Sequence, residues 1–519
     1  MKKIIEIDLS PSETPWDSEI KSLVSSIIQL PENEITTVKL LKRSVDARQR
    51  DIRIHHTLEV YINETPEENP AYQFHYKNVT DSPRVIIVGA GPAGLFAALR
   101  LLELGLKPII IERGKKVEER KSDIADINKK RTIDPDSNYC FGEGGAGTYS
   151  DGKLYTRSTK RGDVKRILYQ FTDHGAIPDI LVDAHPHIGT DKLPEIISRM
   201  RSTILNNGGE IHFGQRVSDF LIQDNKAKGV VTSNGNKFEG EAVILATGHS
   251  SRDIYDILLK KKILIEPKPF AVGVRIEHPQ QLIDSIQYHS TDRNPYLPAA
   301  TYNLACQAGN KGVFSFCMCP GGTIVTASTQ QNELVLNGMS NSQRNQPFAN
   351  SGMVVTVDES DFMKDKNADP LSGIKFQEQI ERNAFIAGGS NLGAPAQRMM
   401  DFVENKISAN LNPTSYFPGI VSAPLHELLP RFITTRVQEA FNVFGKKMKG
   451  YLTNEATLLG VETRTSSPVR IPRDSDTLEH KGLANLYPCG EGAGYAGGIV
   501  SSAIDGQRCA ESVAKKLLG

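Results

Sequence analysis

Gly89, Gly91 and Gly94 stand at the G-x-G-x-x-G spacing, as Gly89-Ala90-Gly91-Pro92-Ala93-Gly94, and a carboxylate, Glu112, follows about twenty residues on. The chemistry this spacing suits is the grip on a dinucleotide. Gly89 permits a tight turn, Gly91 lets the backbone approach a pyrophosphate, and Gly94 lets a helix pack close to a strand. Free N–H groups and the positive dipole end at that helix's start face the phosphates. Glu112 can accept the hydroxyls of an adenosine ribose, which favours FAD or NAD over NADP, whose extra phosphate it would repel. Arg113 follows it directly, and Pro92 and Ala93 open the helix.

Three further stretches carry residues able to act on a substrate. In Phe314-Ser315-Phe316-Cys317-Met318-Cys319-Pro320-Gly321-Gly322, strand alternation puts Cys317 and Cys319 on one face, opposite Phe314, Phe316 and Met318. Their Cα atoms would stand about 6.6–6.8 Å apart in a fully extended strand. That is near the upper limit for a disulfide, so a bridge would need a bend. Two readings stand: a redox-active or nucleophilic cysteine, or two small apolar residues before a Pro-Gly-Gly turn. Two sulfurs are not four ligands and no histidine spacing completes them, so no metal is expected. His249, in Thr247-Gly248-His249-Ser250-Ser251-Arg252-Asp253, is either a proton donor near neutral pH or a loop histidine bonded to backbone. Arg464, in Glu462-Thr463-Arg464-Thr465-Ser466-Ser467-Pro468, either holds an anionic substrate group or pairs with Glu462 or another acid.

The elements that must position these groups can be read around them. Val85-Ile86-Ile87-Val88 reads as a buried strand, Leu95 to Leu104 as a helix stopped by Gly105, and Pro108 to Ile111 as a second strand. Tyr139 to Gly152 is glycine-dense but has no strand before it. Its glycines suit a loop whose N–H groups approach a cofactor at Gly145, Gly147, Thr148 and Ser150, with a plain surface loop as the alternative. A helix over Leu193 to Leu205 precedes four short strands, near Glu210–Phe213, Val217–Ile222, Lys228–Thr232 and Lys237–Glu239. Ala242 to Gly248 is a buried strand ending in Ala-Thr-Gly. From about 263 to 470 strand-like runs (Ala271–Ile276, Val313–Met318, Thr323–Ser328, Met353–Val357) alternate with loops and helices near Phe376–Phe385 and Thr435–Phe444. This reads as an inserted α+β substrate domain. A last strand then runs into Pro488-Cys489-Gly490-Glu491-Gly492 and a helix from about Ile499 to Leu518, with Gly498 at its start.

Residues 1–80 read as a separate small α+β unit with strands over Lys3–Leu9, Ile35–Leu41 and Ile52–Ile62, a helix over Glu19–Leu30, and a ferredoxin-like order among the arrangements open to it. Glu64 to Pro70 is a linker by composition. Lys39, Lys42, Arg43, Arg48, Arg50 and Arg53 form a basic stretch, read as a solvated hairpin rather than an RNA contact. Across the 519 residues Lys+Arg and Asp+Glu are 61 each, which gives no global pull toward nucleic acid or membrane. The N-terminus lacks the apolar core of a signal peptide, and the most apolar stretch, Val85 to Leu106, is interrupted by Gly, Pro and charge. Six irregularly spaced cysteines argue against a disulfide scaffold, so a cytoplasmic protein is expected.

The strand ending in Ala-Thr-Gly after a β-meander resembles glutathione-reductase-type FAD proteins. The resemblance implies FAD at the glycine turn, backbone contact to the adenine at Val217, a return of the chain to the cofactor at Thr247 and Gly248, and closure on the ribityl chain at Gly490 and Glu491. Glu491 stands where Asp is commoner. The helix start at Gly498 and Ile499 would aim its dipole at the flavin N1/C2 edge. GAGPAGLFAALRL, CFGEGGAGTYSDGKL, ATGHSSRD, KPFAVGVRIEHPQ, FSFCMCPGG, GVETRTSSPVR and YPCGEGAGYAGGIVSSAIDG together resemble bacterial FAD-dependent oxidoreductases labelled NAD(FAD)-utilizing dehydrogenases. A more distant likeness runs to geranylgeranyl-reductase-like flavoproteins and to the flavoprotein of tRNA wobble-uridine modification. The expected fold is an α/β FAD-binding Rossmann fold in two parts, 81–262 and 471–519, around a substrate domain at 263–470. The expected function is an oxidoreductase passing hydride through flavin N5 to or from a small organic substrate. NAD(P)H would be at most a transient donor, since no second fingerprint exists. An RNA-modifying flavoprotein and a non-catalytic flavin-bearing interaction protein are the alternatives.

Overall fold

The computed structural model describes all residues except 14–18, 67–71, 157–161 and 364–368. At its centre lies a five-stranded parallel sheet in the order Leu486–Pro488, Ala242–Leu245, Arg84–Val88, Lys107–Ile111, Glu210–His212. Its strands are apolar runs because both faces are covered. Val85 and Ile87 pack toward the helices Pro92–Leu104, Leu193–Asn206 and Ile499–Leu518, whereas Ile86 and Val88 pack toward the helix Arg252–Lys260 and a three-stranded meander. The meander comprises Val217–Gln223, Lys226–Thr232 and Lys237–Glu239. The run near Glu210 is not its fourth strand but the edge of the parallel sheet, pairing Ile109–Ile111. The chain thus forms an α/β Rossmann-type fold.

A second, mixed sheet of eight strands is built between residues 270 and 462. Its longest strand, Lys311–Thr326, lies between Ala305–Ala308 and Phe348–Val357, and its distal half also pairs Leu336–Ser340. Phe270–Pro279 and Thr457–Glu462 continue the sheet toward Ala394–Arg398 and Ile420–Ser422. The helices Ser372–Ala387 and Arg431–Lys447 bury Ile380, Ala384, Val437, Phe441 and Phe444 against it. The Pro-Gly-Gly expected as a turn lies inside the long strand. Pairing of Gly322–Thr326 with Leu336–Ser340 carries the ladder through it. Glu266–Pro267 and Val469–Arg470 pair antiparallel where the chain passes between the two sheets.

The first 62 residues contribute a three-stranded antiparallel sheet, Lys2–Leu9, Arg53–Ile62, Ile35–Asp46, and the helix Ile20–Ile28 over its own core of Ile7, Val24, Ile35, Leu58, Val60 and Ile62. Among the described residues that is fewer strands and helices than a ferredoxin-like order requires. Three of the six basic residues are ion-paired: Arg48 with Asp46, Arg53 with Asp51, and Arg43 with Asp179 and Asp183. The composition-based linker 64–70 lies partly outside the described residues. Among the described residues no helix is long and apolar enough to cross a membrane.

Candidate functional site

The strand Arg84–Val88 ends at Gly89, and the helix Pro92–Leu104 starts with Gly91 as its N-cap and Pro at its first position. No side chain caps that start. The helix Ile499–Leu518 likewise starts uncapped, at Gly498. Both starts open on one cavity of about 410 Å³ that runs from the glycine turn to the eight-stranded sheet. A Cβ added to Gly91 would have no heavy atom nearer than Gly145 Cα at 4.0 Å, so this backbone lies open to a ligand. Two uncapped helix starts at one cavity suit a ligand with separate electron-rich groups.

Most of the residues expected from sequence line this cavity. They are Gly89, Gly91, Pro92, Ala93, Glu112, Arg113, Gly145, Gly147, Ser150, Val217, Thr247, Gly248, Glu491, Gly498 and Ile499 on the cofactor side, and Cys317, His249 and Arg464 beyond. Four lie behind its wall. Gly94 is a packing glycine, whose added Cβ would stand 1.9 Å from Gly89 O. Thr148 is buried and donates to Glu143 O at 3.1 Å. Gly490 N–H donates to Asp505 Oδ2 at 2.8 Å. Cys319 is fully buried beneath Cys317.

Glu112 is held more tightly than its sequence position implies. Oε2 accepts from Ala90 N–H at 2.8 Å, and Oε1 accepts from Gly114 N–H at 2.9 Å and Gly142 N–H at 3.0 Å. A carboxylate offers about four lone-pair positions. One remains, on Oε2, for a ligand hydroxyl, where the sequence suggests a grip on both. Arg113 stacks its guanidinium 4.1 Å from the Phe141 ring and pairs with Asp136 at 2.8 Å and Asp253 at 3.0 Å.

Arg464 is paired with acids, but not with Glu462. Its Nε donates to Glu381 at 3.1 Å, Nη1 to Thr329 Oγ1 at 3.0 Å and Ser250 Oγ at 3.5 Å, and Nη2 to Glu381 at 2.8 Å and Glu333 at 3.2 Å. A guanidinium has five N–H donors, so none is left for a substrate anion. Burial alone would raise the Glu381 carboxyl, but Arg252 and Arg464 outweigh it and hold it well below the usual carboxylate range. Burial pushes Glu333 up to about 7. His249 Nδ1 lies 3.5 Å from Glu491 Oε1, in the cavity wall between the two helix starts and the large sheet.

The expected shared face of Cys317 and Cys319 does not survive folding. Phe316 pairs with Gly352 and Cys319 with Asn350, so the long strand holds one residue more than its partner here. That is a β-bulge, and Cys317 adopts φ 45° within it. Phe316 and Cys317 both reach the cavity, whereas Met318 joins the core. Sequence reasoning missed the groups around them. Lys153 follows the glycine loop and lines the cavity; Arg275 is fully buried on Phe270–Pro279 and pairs with Glu462 at 3.1 Å. The acid and base in Asp151-Gly152-Lys153 were a legible signal; Arg275, inside an apolar strand, was not. Arg120 was missed as well. It is wholly buried and donates to the carbonyls of Asn138, Tyr139, Glu143 and Gly145, which fixes the shape of the glycine loop. Cys489, Asp505 and Cys509 bring metal-type atoms within 4.8 Å of one another, but Arg473 already fills that place, bonding Asp505 at 2.6 Å.

Comparison with known proteins places these segments. Residues 82–135 match an FAD binding domain, residues 269–465 the C-terminal domain-like part of an FAD-dependent protein, and residues 1–61 a domain of unknown function. An uncharacterized protein of Clostridium beijerinckii is 39% identical over 510 residues, covering 94% of either chain. The thiamine thiazole synthase of Aeropyrum pernix is 27% identical over 182 residues, 32% of this chain and 55% of that one. Among solved structures, the L-proline dehydrogenase from P. horikoshii is 12% identical with TM-score 0.34, covering 84% of this chain and 94% of that one. The flavin-dependent brominase Bmp2 is 13% identical with TM-score 0.36, covering 84% and 80%.

Proposed function

The chain belongs to the FAD-dependent protein family that includes the Clostridium beijerinckii relative, and from that premise we propose that it is an oxidoreductase passing hydride between FAD and a small organic substrate. FAD is its cofactor, and when bound it supplies the two-electron chemistry. The observation that carries the reading is the single cavity, which joins the glycine turn to the wall formed by Phe316, Cys317 and Asn337.

In this reading the open backbone at Gly91 and Ala93 would hold the pyrophosphate, and the free Oε2 position of Glu112 would take one ribose hydroxyl. The backbone of Val217 meets the adenine. The helix start at Ile499 would hold the flavin and stabilise negative charge on it. His249, steadied by Glu491, moves the substrate proton. Arg464 is a positioning residue: held by Glu381 and Glu333, it donates directly to Ser250 in the cavity wall and to Thr329. The substrate enters against the large sheet, and a nicotinamide donor docks there transiently.

The test is the anaerobic absorbance spectrum of the purified protein before and after NADH and then NADPH. Flavin bands that bleach with either support a nicotinamide-fed reductase. Bands that persist through both, and also through candidate organic reductants, count against an oxidoreductase and favour a flavin-bearing interaction protein.

A further inference from the structure

We propose that Cys317 and Cys319 form a redox-active thiol pair, with Cys317 the attacking thiolate, that exchanges with low-molecular-weight disulfides entering the cavity. The geometry supplies what a flat strand would not. A bridge two residues apart needs a bend, and the bulge with its positive φ at Cys317 provides one. A non-glycine residue held at that φ is strained and persists only where its surroundings enforce it. Here it turns Cys317 into the cavity and leaves Cys319 behind it.

Cations crowd the pair. Among the described residues, Lys153, Arg275 and Arg344 stand beside the carboxylates Asp151 and Glu462, and Arg275 also acts on buried Glu277, whose carboxyl burial pushes up. Arg344 holds Asp151 at 2.5 Å, Lys153 reaches it at 3.3 Å, and Arg275 holds Glu462 at 3.1 Å. Burial also pushes Glu462 up to about 7, which weakens the second carboxylate further. His187 and Tyr302, the other titratable groups turned toward this cluster, add no negative charge near neutrality: burial lowers His187 and raises Tyr302 to about 12. A thiolate beside these three cations is stabilised. Cys319 Sγ accepts from Lys153 Nζ at 3.8 Å and Arg275 Nη2 at 3.6 Å and donates to Cys317 O at 3.3 Å, so Cys319 keeps its proton. Cys317 is the sulfur left to ionise. The hydrogen bond from Cys319, with Lys153 and Arg275 nearby, holds Cys317 well below the ordinary thiol value despite burial.

The exchange closes in two steps. The Cys317 thiolate attacks one sulfur of an external disulfide, whose S–S bond breaks, and the departing thiolate takes a proton from water. Cys319 sulfur then attacks Cys317 Sγ. The mixed disulfide breaks, and the second departing thiolate takes the Cys319 proton. Two electrons pass from the protein pair to the external disulfide, leaving a Cys317–Cys319 bridge.

Mass spectrometry of the flavin-loaded protein tests this, with the absorbance of FAD recorded on the same samples so that a failed cofactor site is seen separately. After glutathione disulfide, the peptide carrying both cysteines should be two hydrogens lighter, and dithiothreitol should restore it. Iodoacetamide should label reduced Cys317 with a midpoint well below that of half-buried Cys306, whose thiol burial pushes up. Lys153→Met should raise the Cys317 midpoint by about one pH unit or more, and Cys319→Ser should trap glutathione on Cys317. A peptide that never loses its two hydrogens, or a Cys317 midpoint at the ordinary thiol value in the unaltered protein, overturns the proposal.

Discussion

Arg120 shows how one buried cation can shape a loop made mostly of glycine. Its Nη atoms reach four carbonyls between Asn138 and Gly145, and its side chain lies over the Tyr149 ring at 4.9 Å. Arg120→Met should leave those carbonyls buried and unpaired, with a loss of about 3 kcal/mol or more. Arg120→Lys should not rescue it, because an ammonium cannot span the same fan. FAD content per chain and the denaturation midpoint check this together; yellow, fully stable protein would contradict it. Glu143, in the same loop, makes a pH-dependent prediction. Burial pushes its carboxyl up to about 7 from an ordinary 4.5, although Val117 N–H and Arg201 pull the other way. The folded state then holds a proton that the unfolded chain has released, so stability falls as pH rises from about 4.5 to 7, by about 3 kcal/mol. Glu333 and Glu462, also raised to about 7, add to the same slope. Glu143→Gln should flatten it in part, measured as unfolding midpoints at pH 5 and 7.5; an unchanged slope would remove Glu143 from the account. Little of this was legible beforehand. The glycines, Glu112 and His249 advertise themselves by type and position, whereas Arg120 sits in an ordinary charged helix and Glu381 in an amphipathic one. Their roles exist only once distant segments meet.

At the scale of elements, four strands of the parallel sheet were readable as buried apolar runs and the helix Pro92–Leu104 by the glycines at its ends, whereas the half-buried edge strand Glu210–His212 reads as part of the meander until it pairs with Lys107–Ile111. The long strand Lys311–Thr326 was not readable. Its alternation predicts opposite faces for Phe316 and Cys317, which the bulge brings to one cavity, and its Pro-Gly-Gly reads as a turn until Leu336–Ser340 arrives to pair with it. Bulges depend on the partner strand, which local sequence does not specify. The packing of the two uncapped helices is testable here. A Cβ on Gly506 would stand 2.1 Å from Ala93 O, so this glycine lets the C-terminal helix lie directly on the helix of the glycine turn. Gly506→Val should force the two apart, shift both helix starts that face the cavity, and lower FAD affinity by at least about tenfold, equivalent to about 1.4 kcal/mol. Equilibrium dialysis measures it. Affinity equal to that of the unaltered protein would mean that the helix starts do not act together on one ligand.

At the scale of the molecule, the cavity belongs to the two large sheets, and the N-terminal unit docks beside them rather than in them. Its edge strand Ile35–Asp46 reaches the body at Arg43, whose N–H donates to Val182 O at 2.8 Å while Ala184 N–H donates to Arg43 O at 2.9 Å. The Arg43 side chain adds contacts to Asp183 at 2.8 Å and Asp179 at 2.9 Å. These ion pairs are about one third exposed or more, so their worth is modest, about 1 kcal/mol together. The two backbone bonds and the separate core around Val24 and Leu58 stay when the guanidinium is removed. Arg43→Ala should therefore leave the N-terminal unit folded and FAD bound, but loosen the docking. Hydrogen exchange at the Arg43 and Ala184 amides should speed up by about fivefold, the rate change that 1 kcal/mol allows. The amides between Leu58 and Ile62, inside the unit's own sheet, should keep their protection. If those inner amides lose protection too, the unit depends on the body for its fold. If neither set changes, the backbone bonds alone hold the docking, and the paired basic stretch is free of structural duty at Arg43.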